Sequence, residues 1–395
     1  MSTSPFAETA ATRLLSLVHR HGPLSRAEIG RRLDLARSAT GAAITELAEL
    51  GLVRTTAPDG PRRLGRPSPE VSVCEQPRVL AAQVRPRSLT VAAVGLGRAV
   101  AERADVPLPD PSPTAVADAL AELARPVLRR HPGLSGLAVA LPAVLDAPAG
   151  RVHAAFHLGW HDVDITELLA ARLPGLALFP CNDGHLAALA ESRHGAAQEA
   201  RVGLVLSGDE YGIGGGLVQL GVTFDGSAGH ALEAGHLPLP GEAPLPCPCG
   251  ATGCFETQAD ARALLRRAGR PLAPGQDPRA ALAEVLAAAE AGEPVALAAV
   301  HETADRLGAG LAVLVSLLNP DLIVLTGHLV GLYGAAGARE RVLAGMGASH
   351  VARIHPVPVV TAGLAEPVLL GAAELALGPL LAAPRALRTP ASTPS

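Results

Sequence analysis

Apolar positions in the first fifty residues recur at helical spacing. Leu14, Leu15, Leu17 and Val18 form one side of a helix over about residues 7–19, and Pro23 separates it from the next. Ser25 and Glu28 form an S-x-x-E helix start, with Ile29 and Leu33 four apart behind it. Asp34 and Leu35 read as a turn. Ile44, Leu47 and Leu50 give a third helix its buried side, and Gly51 ends it as a left-handed cap. Ala36 stands where a Ser or Thr cap is expected. Residues 53–73 then read as a two-stranded wing. From Pro77 the pattern changes. Short apolar runs such as "RVLAAQV", "GLAVALPAVL", "VGLVLS" and "DLIVLTG" alternate with helical stretches at 114–130, 184–193, 279–291 and 294–319. That alternation predicts α/β layers, in two halves with a cleft between them. The expected division is a winged helix-turn-helix at 1–75, an α/β body at 76–383, and a Pro- and Ser-rich disordered tail at 384–395.

Charge sharpens the reading of the first unit. Residues 1–68 carry ten arginines against six carboxylates, a net +4, although the whole 395-residue chain is at −4. Phosphate contact is therefore expected of this unit alone. On the third helix Arg37, Ser38 and Ala42 are the candidates to face DNA. Arg can take guanine or merely touch phosphate, and Ala can meet a thymine methyl. In the wing, Arg63 and Arg66 of "RRLGRP" suit a narrow minor groove; a solvated basic loop is the plain alternative. No apolar run reaches the ~18–20 residues of a membrane span. The first ten residues lack the charged start and apolar core of a signal peptide. Five cysteines with CxC spacing favour metal over disulfides, hence a cytoplasmic setting.

The order of helix-turn-helix, wing ending in GRP, "CNDGHLAALAE", "YGIGGGL", "EAGH…CPCGATGCFE" and "LLNPDLIVLTG" resembles the ROK family of repressors, open reading frames and sugar kinases, most of all its repressor branch. The resemblance covers nearly the whole chain. It implies a duplicated actin- or hexokinase-like α/β domain with a sugar in the interlobe cleft.

Within "HALEAGHLPLPGEAPLPCPCGATGCFE", His236, Cys247, Cys249 and Cys254 make a Cys₃His set suited to a closed, structural zinc site. Gly250 and Gly253 let the chain fold back so that the sulfurs converge. By resemblance, Asn182, Asp183, Glu233, His236 and Glu256 contact sugar hydroxyls. His157 stands where relatives often have Asn. Paired carboxylates accept hydroxyl hydrogen bonds with fixed geometry. Three carboxylates in one pocket would repel a phosphate, which favours an unphosphorylated sugar effector.

In a kinase of this family Asp183 would be the general base, but the nucleotide elements are altered. Gln83 replaces the Asp of the first phosphate turn, and Arg85 and Pro86 replace its glycines. Asp209 and Glu210 bring negative charge to the second loop, and "TGHL" replaces the third. The expectation is a sugar-responsive regulator, most simply a repressor, that binds operator DNA as a homodimer or homotetramer. An active ATP-dependent sugar kinase with a DNA-binding appendage is the main alternative. A constitutive DNA binder with a vestigial sugar site and a zinc-stabilised interaction protein are two others.

Overall fold

The computed structural model describes residues 9–56, 69–147, 149–208, 211–241, 244–273 and 275–388. Arg63 and Arg66 of the wing, and the pair Asp209 and Glu210, lie outside the described residues.

The first unit runs α1 (Ala10–His21), β1 (Leu24–Ser25), α2 (Arg26–Leu33), α3 (Arg37–Glu49), β2 (Val53–Thr56) and β3 (Glu70–Val73). The Ser25 hydroxyl accepts from the Glu28 N–H at 3.2 Å. The Glu28 carboxylate turns instead to Arg32 at 2.6 Å, so the reciprocal half of the capping box is replaced by an i,i+4 ion pair. Asp34 closes α2 in the left-handed region, and Gly51 follows α3 with φ of 65°. Ala36 gives α3 no side-chain cap. The wing sheet has three strands, in the order β1-β3-β2, because the two-residue β1 pairs with β3.

The first lobe of the body comprises β4 (Pro77–Val84), β5 (Ser88–Gly95), β6 (Val100–Pro107), α4 (Pro113–Arg130) and β7 (Gly136–Leu141), then a small sheet of β8 (Val144–Asp146), β9 (Arg151–Ala155) and β10 (Trp160–Asp164), then α5 (Ile165–Arg172), β11 (Ala177–Asn182) and α6 (Asp183–His194). The second comprises β12 (Val202–Gly208), β13 (Gly214–Gln219), β14 (Val222–Thr223), α7 (Phe255–Ala259), α8 (Ala261–Arg267), α9 (Pro278–Glu290), α10 (Pro294–Leu318), β15 (Leu322–Gly327), α11 (His328–Gly334), α12 (Ala338–Met346), α13 (His350–Ile354) and β16 (Val359–Thr361). The last helix, α14 (Pro367–Ala382), packs back on α6, β4 and β7.

The two large sheets run β11-β7-β4-β5-β6 and β14-β13-β12-β15-β16. In each, the entering strand is central. Two antiparallel strands extend from one side of it, and two parallel strands lie on the other. This is the expected duplication. β4 and β7 are buried on both faces, hence their unbroken apolar runs. The edge strand β6 alternates charged and apolar residues and was not among the runs read from the sequence.

One apolar cluster joins the first unit to the body. It takes in Leu14, Leu15, Ile29 and Leu47, passes through Val79 and Leu96, and reaches Leu186 of α6 and Leu369 and Leu377 of α14. Beyond α14 a short 3₁₀ helix over Pro384–Arg388 occupies the start of the segment read as tail, and its Arg385 pairs with Glu46 of α3 at 2.6 Å.

Candidate functional site

β11 ends and α6 begins at Asn182, at the carboxyl edge of the parallel strands, where α/β folds place their ligands. The Asn182 side chain holds that junction. Its oxygen accepts from the His185 N–H at 3.1 Å, and its amide donates to the Ala143 carbonyl at 3.0 Å. Asp183 is the first residue of α6 and accepts from the Gly184 N–H at 2.8 Å. Both line a cavity that also exposes His157, Glu233, His236 and Glu256. The six residues assigned to sugar from the sequence thus share one space.

The loop between β12 and β13 shapes its wall. Gly212 has φ of 77°, and a Cβ there would lie 2.6 Å from Glu256 Oε2 and 2.9 Å from His157 Nε2. Only glycine lets these two groups approach, at 3.7 Å. Tyr211 stacks on His157 with centroids 6.0 Å apart, and the Arg262 guanidinium lies 5.4 Å from the Tyr211 ring centre. Phe156 meets the His236 ring edge-on at 5.3 Å. Phe156, Tyr211 and Arg262 were missed from the sequence. For the two aromatic residues the signal was scarcity, since the chain has only two tyrosines and five phenylalanines.

The two buried glutamates differ electrically. Burial, with the charge of Glu256 beside it, pushes Glu233 up to about 7. Burial would raise Glu256 too, but hydrogen bonds from His157 and, while it keeps its proton, the Cys247 thiol, together with the His157 and His236 charges, hold it below the usual carboxylate range. Glu256 is therefore an acceptor only. Near neutral pH Glu233 both donates and accepts, which suits a hydroxyl that can do either.

The predicted metal ligands also converge. His236, Cys247, Cys249 and Cys254 place their ligand atoms within 4.8 Å of one another. Cys247 Sγ lies 3.5 Å from His236 Nδ1, and Cys249 Sγ lies 3.7 Å from Cys254 Sγ. A tetrahedron with bonds of ~2.0–2.3 Å has edges of roughly 3.4–3.8 Å, so the donor set fits such an ion. Three sulfurs beside the Glu256 carboxylate, 3.1 Å from Cys247 Sγ, would repel one another as thiolates without a cation. Gly250 and Gly253 take φ of 90° and 78° in the hairpin that brings them together.

A separate cleft is lined by Gln83, Arg85, Ser207, Gly208, Thr326, Gly327 and His328 among others, the positions that the resemblance assigns to phosphates. It is an open cleft of about 350 Å³, larger than the roughly 50 Å³ of the first, and side chains stand along its wall. Arg85 folds onto Gln83 at 2.5 Å and onto Thr90 at 3.3 Å. The His328 ring lies so close to Gly208 that a Cβ there would meet three of its atoms at 2.5 to 2.9 Å. The glycine run after Gly212 serves packing instead. Gly215 lies backbone to backbone against Gly184, and Gly216 against Gly184 and Ala188, which brings β13 onto α6.

On the first unit Arg37, Ser38 and Ala42 are exposed along α3, with Thr45 continuing the stripe. Arg26 and Arg31 join Arg37 around one groove and were not singled out from the sequence. No helix among the described residues is long and apolar enough to cross a membrane.

The model of the ROK family matches residues 87–377, and that of the MarR family matches residues 8–64. The chain is 27% identical over 331 residues to the DNA-binding transcriptional dual regulator NagC of Escherichia coli, covering 79% of each. It is 32% identical over 224 residues to a glucokinase of Halalkalibacterium halodurans, covering 54% of this chain and 67% of that one. A crystal structure of a ROK family transcriptional regulator, described as a homolog of the E. coli MLC protein, superposes with a TM-score of 0.76 at 22% identity, covering 96% of this chain and 98% of that one.

Proposed function

The chain belongs to the ROK family, and from that premise we propose that it is a sugar-responsive transcriptional repressor: the winged helix binds operator DNA, and the cavity at the start of α6 binds an unphosphorylated sugar. The observation that carries the reading is the contrast between its two clefts. Asn182, Asp183, Glu233, His236, Glu256 and His157 line one cavity, whereas Gln83, Arg85 and His328 stand in the other at positions where the resemblance expects the family's phosphate turns. A winged helix joined to the body by a continuous core supports a regulator rather than a kinase with an appendage.

In this mechanism Glu256 accepts from one sugar hydroxyl, Glu233 exchanges a hydrogen bond with another, and Tyr211 and Phe156 offer apolar faces to the ring. His236, Cys247, Cys249 and Cys254 would hold a zinc ion, which supplies no open coordination position and serves to fix the loop that carries Glu233 and Glu256. Bound sugar favours one arrangement of the lobes over the other, and operator affinity follows that population. Release of DNA by sugar is the expected direction. Division at residue 75, action as a homodimer or homotetramer and a cytoplasmic location complete the proposal.

Calorimetry against a panel of hexoses, N-acetylhexosamines and pentoses tests the pocket. One class binds wild type, and Glu233→Ala weakens it by about 10-fold to 100-fold, the worth of a hydrogen bond to a charged group. Unchanged binding in that variant refutes the assignment. For DNA, Arg37→Ala weakens binding to the duplex upstream of the chain's own gene. If Arg37 meets phosphate, the loss is uniform across sequences and the salt slope falls by about one. The kinase reading keeps one observation in its favour, an Asp183 that lines the sugar cavity. Sugar-dependent ATP hydrolysis that vanishes in Asp183→Asn would establish it.

A further inference from the structure

Three residues far apart in sequence meet in a buried cluster where the first unit joins the body. His19 comes from α1, His194 ends α6, and Glu374 lies in the middle of α14; all three are buried. Glu374 Oε1 accepts from His19 Nε2 at 2.7 Å and from His194 Nε2 at 2.8 Å. Its other oxygen accepts from Arg193 at 2.8 Å. The two imidazoles pack edge to face at 5.3 Å.

Two histidines and a carboxylate this close could hold a metal, but the tautomer argues against it. His19 Nδ1 accepts the Gly97 backbone N–H at 2.8 Å, so the neutral ring carries its proton on Nε2, the atom that faces Glu374. A metal on Nε2 would need that proton removed while Nδ1 stays bare. The cluster is a hydrogen-bonded latch, and burial makes each of its bonds costly to leave unmade.

Its place in the fold gives the latch its consequence. α6 begins at Asn182 and Asp183 in the sugar cavity and ends at His194 in the latch. Its twelve residues span ~18 Å. Ten of them are buried. On one side it lies against Gly215 and Gly216 of the second lobe. On the other it touches α14 so closely that a Cβ on Gly371 would sit 1.9 Å from the Leu186 carbonyl oxygen. In its last turn, Glu191 accepts the N–H groups of Ala196, Gly363 and Leu364 at 2.7 to 3.1 Å. α6 is thus packed tightly between the second lobe and α14.

We propose that His19, His194 and Glu374 are positioning residues that tie the sugar-bearing helix α6 to α1 of the DNA-binding unit, so that a shift of α6 on sugar binding is delivered to the winged helix through this joint. The inference rests on the sugar-responsive reading above and adds its route.

The test uses the full chain and a probe sugar: whichever of D-glucose, N-acetyl-D-glucosamine or D-xylose raises the melting temperature of wild type. Hydrogen exchange of residues 10–49 is measured with and without it, alongside the sugar dissociation constant. In wild type, sugar changes exchange in this segment by about fivefold or more, within the usual range of coupling between sites. In Glu374→Gln and His19→Phe the sugar binds within about twofold of wild type, but the change in exchange disappears. His19→Gln keeps a donor toward Glu374 and restores it. A merely structural role would lower the melting temperature in all three variants and leave the sugar-dependent difference intact, which overturns the proposal. If Glu374→Gln does not fold, the His19→Phe and His19→Gln pair decides alone. If no sugar in the panel binds wild type, the sugar reading falls first and takes this inference with it. If sugar binds wild type and exchange at 10–49 does not change, only this inference falls.

Discussion

The two clefts of the body are built at equivalent ends of duplicated sheets, yet they have opposite characters. One gathers carboxylates, imidazoles and two of the chain's few aromatic rings around a small space. The other is larger and open, and its wall carries Arg85 folded over Gln83 and His328 over Gly208. The first needs glycine where groups must approach, at Gly212, and its wall is a hairpin fit for a metal ion. The second has lost glycine and carboxylate at the phosphate turn. A duplicated fold supplies two ligand positions, and each can be kept or abandoned without disturbing the sheets that frame it.

The largest effect should come from removing the metal hairpin. Cys254→Ser, or chelation of wild type, is expected to abolish zinc binding and sugar binding together. It should also lower stability by about 4 kcal/mol, the contribution of an ion present at a thousand times its Kd. The second cleft has no such dependence and should keep its shape. Metal analysis with thermal melting checks this. Full sugar affinity in metal-free protein would break the comparison, because the wall would then stand unaided.

Much of this was legible in the sequence because it depends on local pattern. The 3.6-residue spacing of Leu14, Leu15 and Val18, the helix start at Ser25, the turn at Asp34, and the apolar runs of β4, β7, β12 and β15 each reflect neighbours within a few residues. The sugar and metal residues were found through motif resemblance; the former line the cavity, and the latter gather beside it, sharing His236. What was missed depends on contact between distant residues. His19 and Glu374 are 355 positions apart, and each is an ordinary helical residue until α14 folds back. Tyr211 joins the cavity, and meets Arg262, through the loop that Gly212 turns at φ of 77°. The half-made capping box shows the same limit. Arg32 competes successfully for Glu28 at a spacing equally available in the sequence.

A smaller effect separates the two clefts at Asp183. Asp183→Asn keeps the shape of the side chain but removes a carboxylate acceptor from the sugar cavity. Sugar affinity should fall about tenfold, close to the ~1.5 kcal/mol lower bound for a charged hydrogen bond. ATP turnover should be indistinguishable from background in both proteins. Calorimetry and a phosphate-release assay run on the same preparations read the two quantities separately.

The smallest expected effect is also the most pointed test of what Arg85 and His328 do in the second cleft. If Arg85 and His328 are what exclude a nucleotide, Arg85→Gly with His328→Ala should open the space between Gln83 and Gly208 and allow weak binding of a non-hydrolysable ATP analogue. A gain of about tenfold over wild type, ~1.4 kcal/mol, is the scale of a relieved steric block. Turnover should not return, because Gln83 still replaces the carboxylate that the family's phosphate turn requires, and no substitution at 85 or 328 restores it. Analogue binding that is already tight in wild type would show that the folded-over Arg85 is a movable lid. The contrast between the clefts would then be one of occupancy rather than of construction.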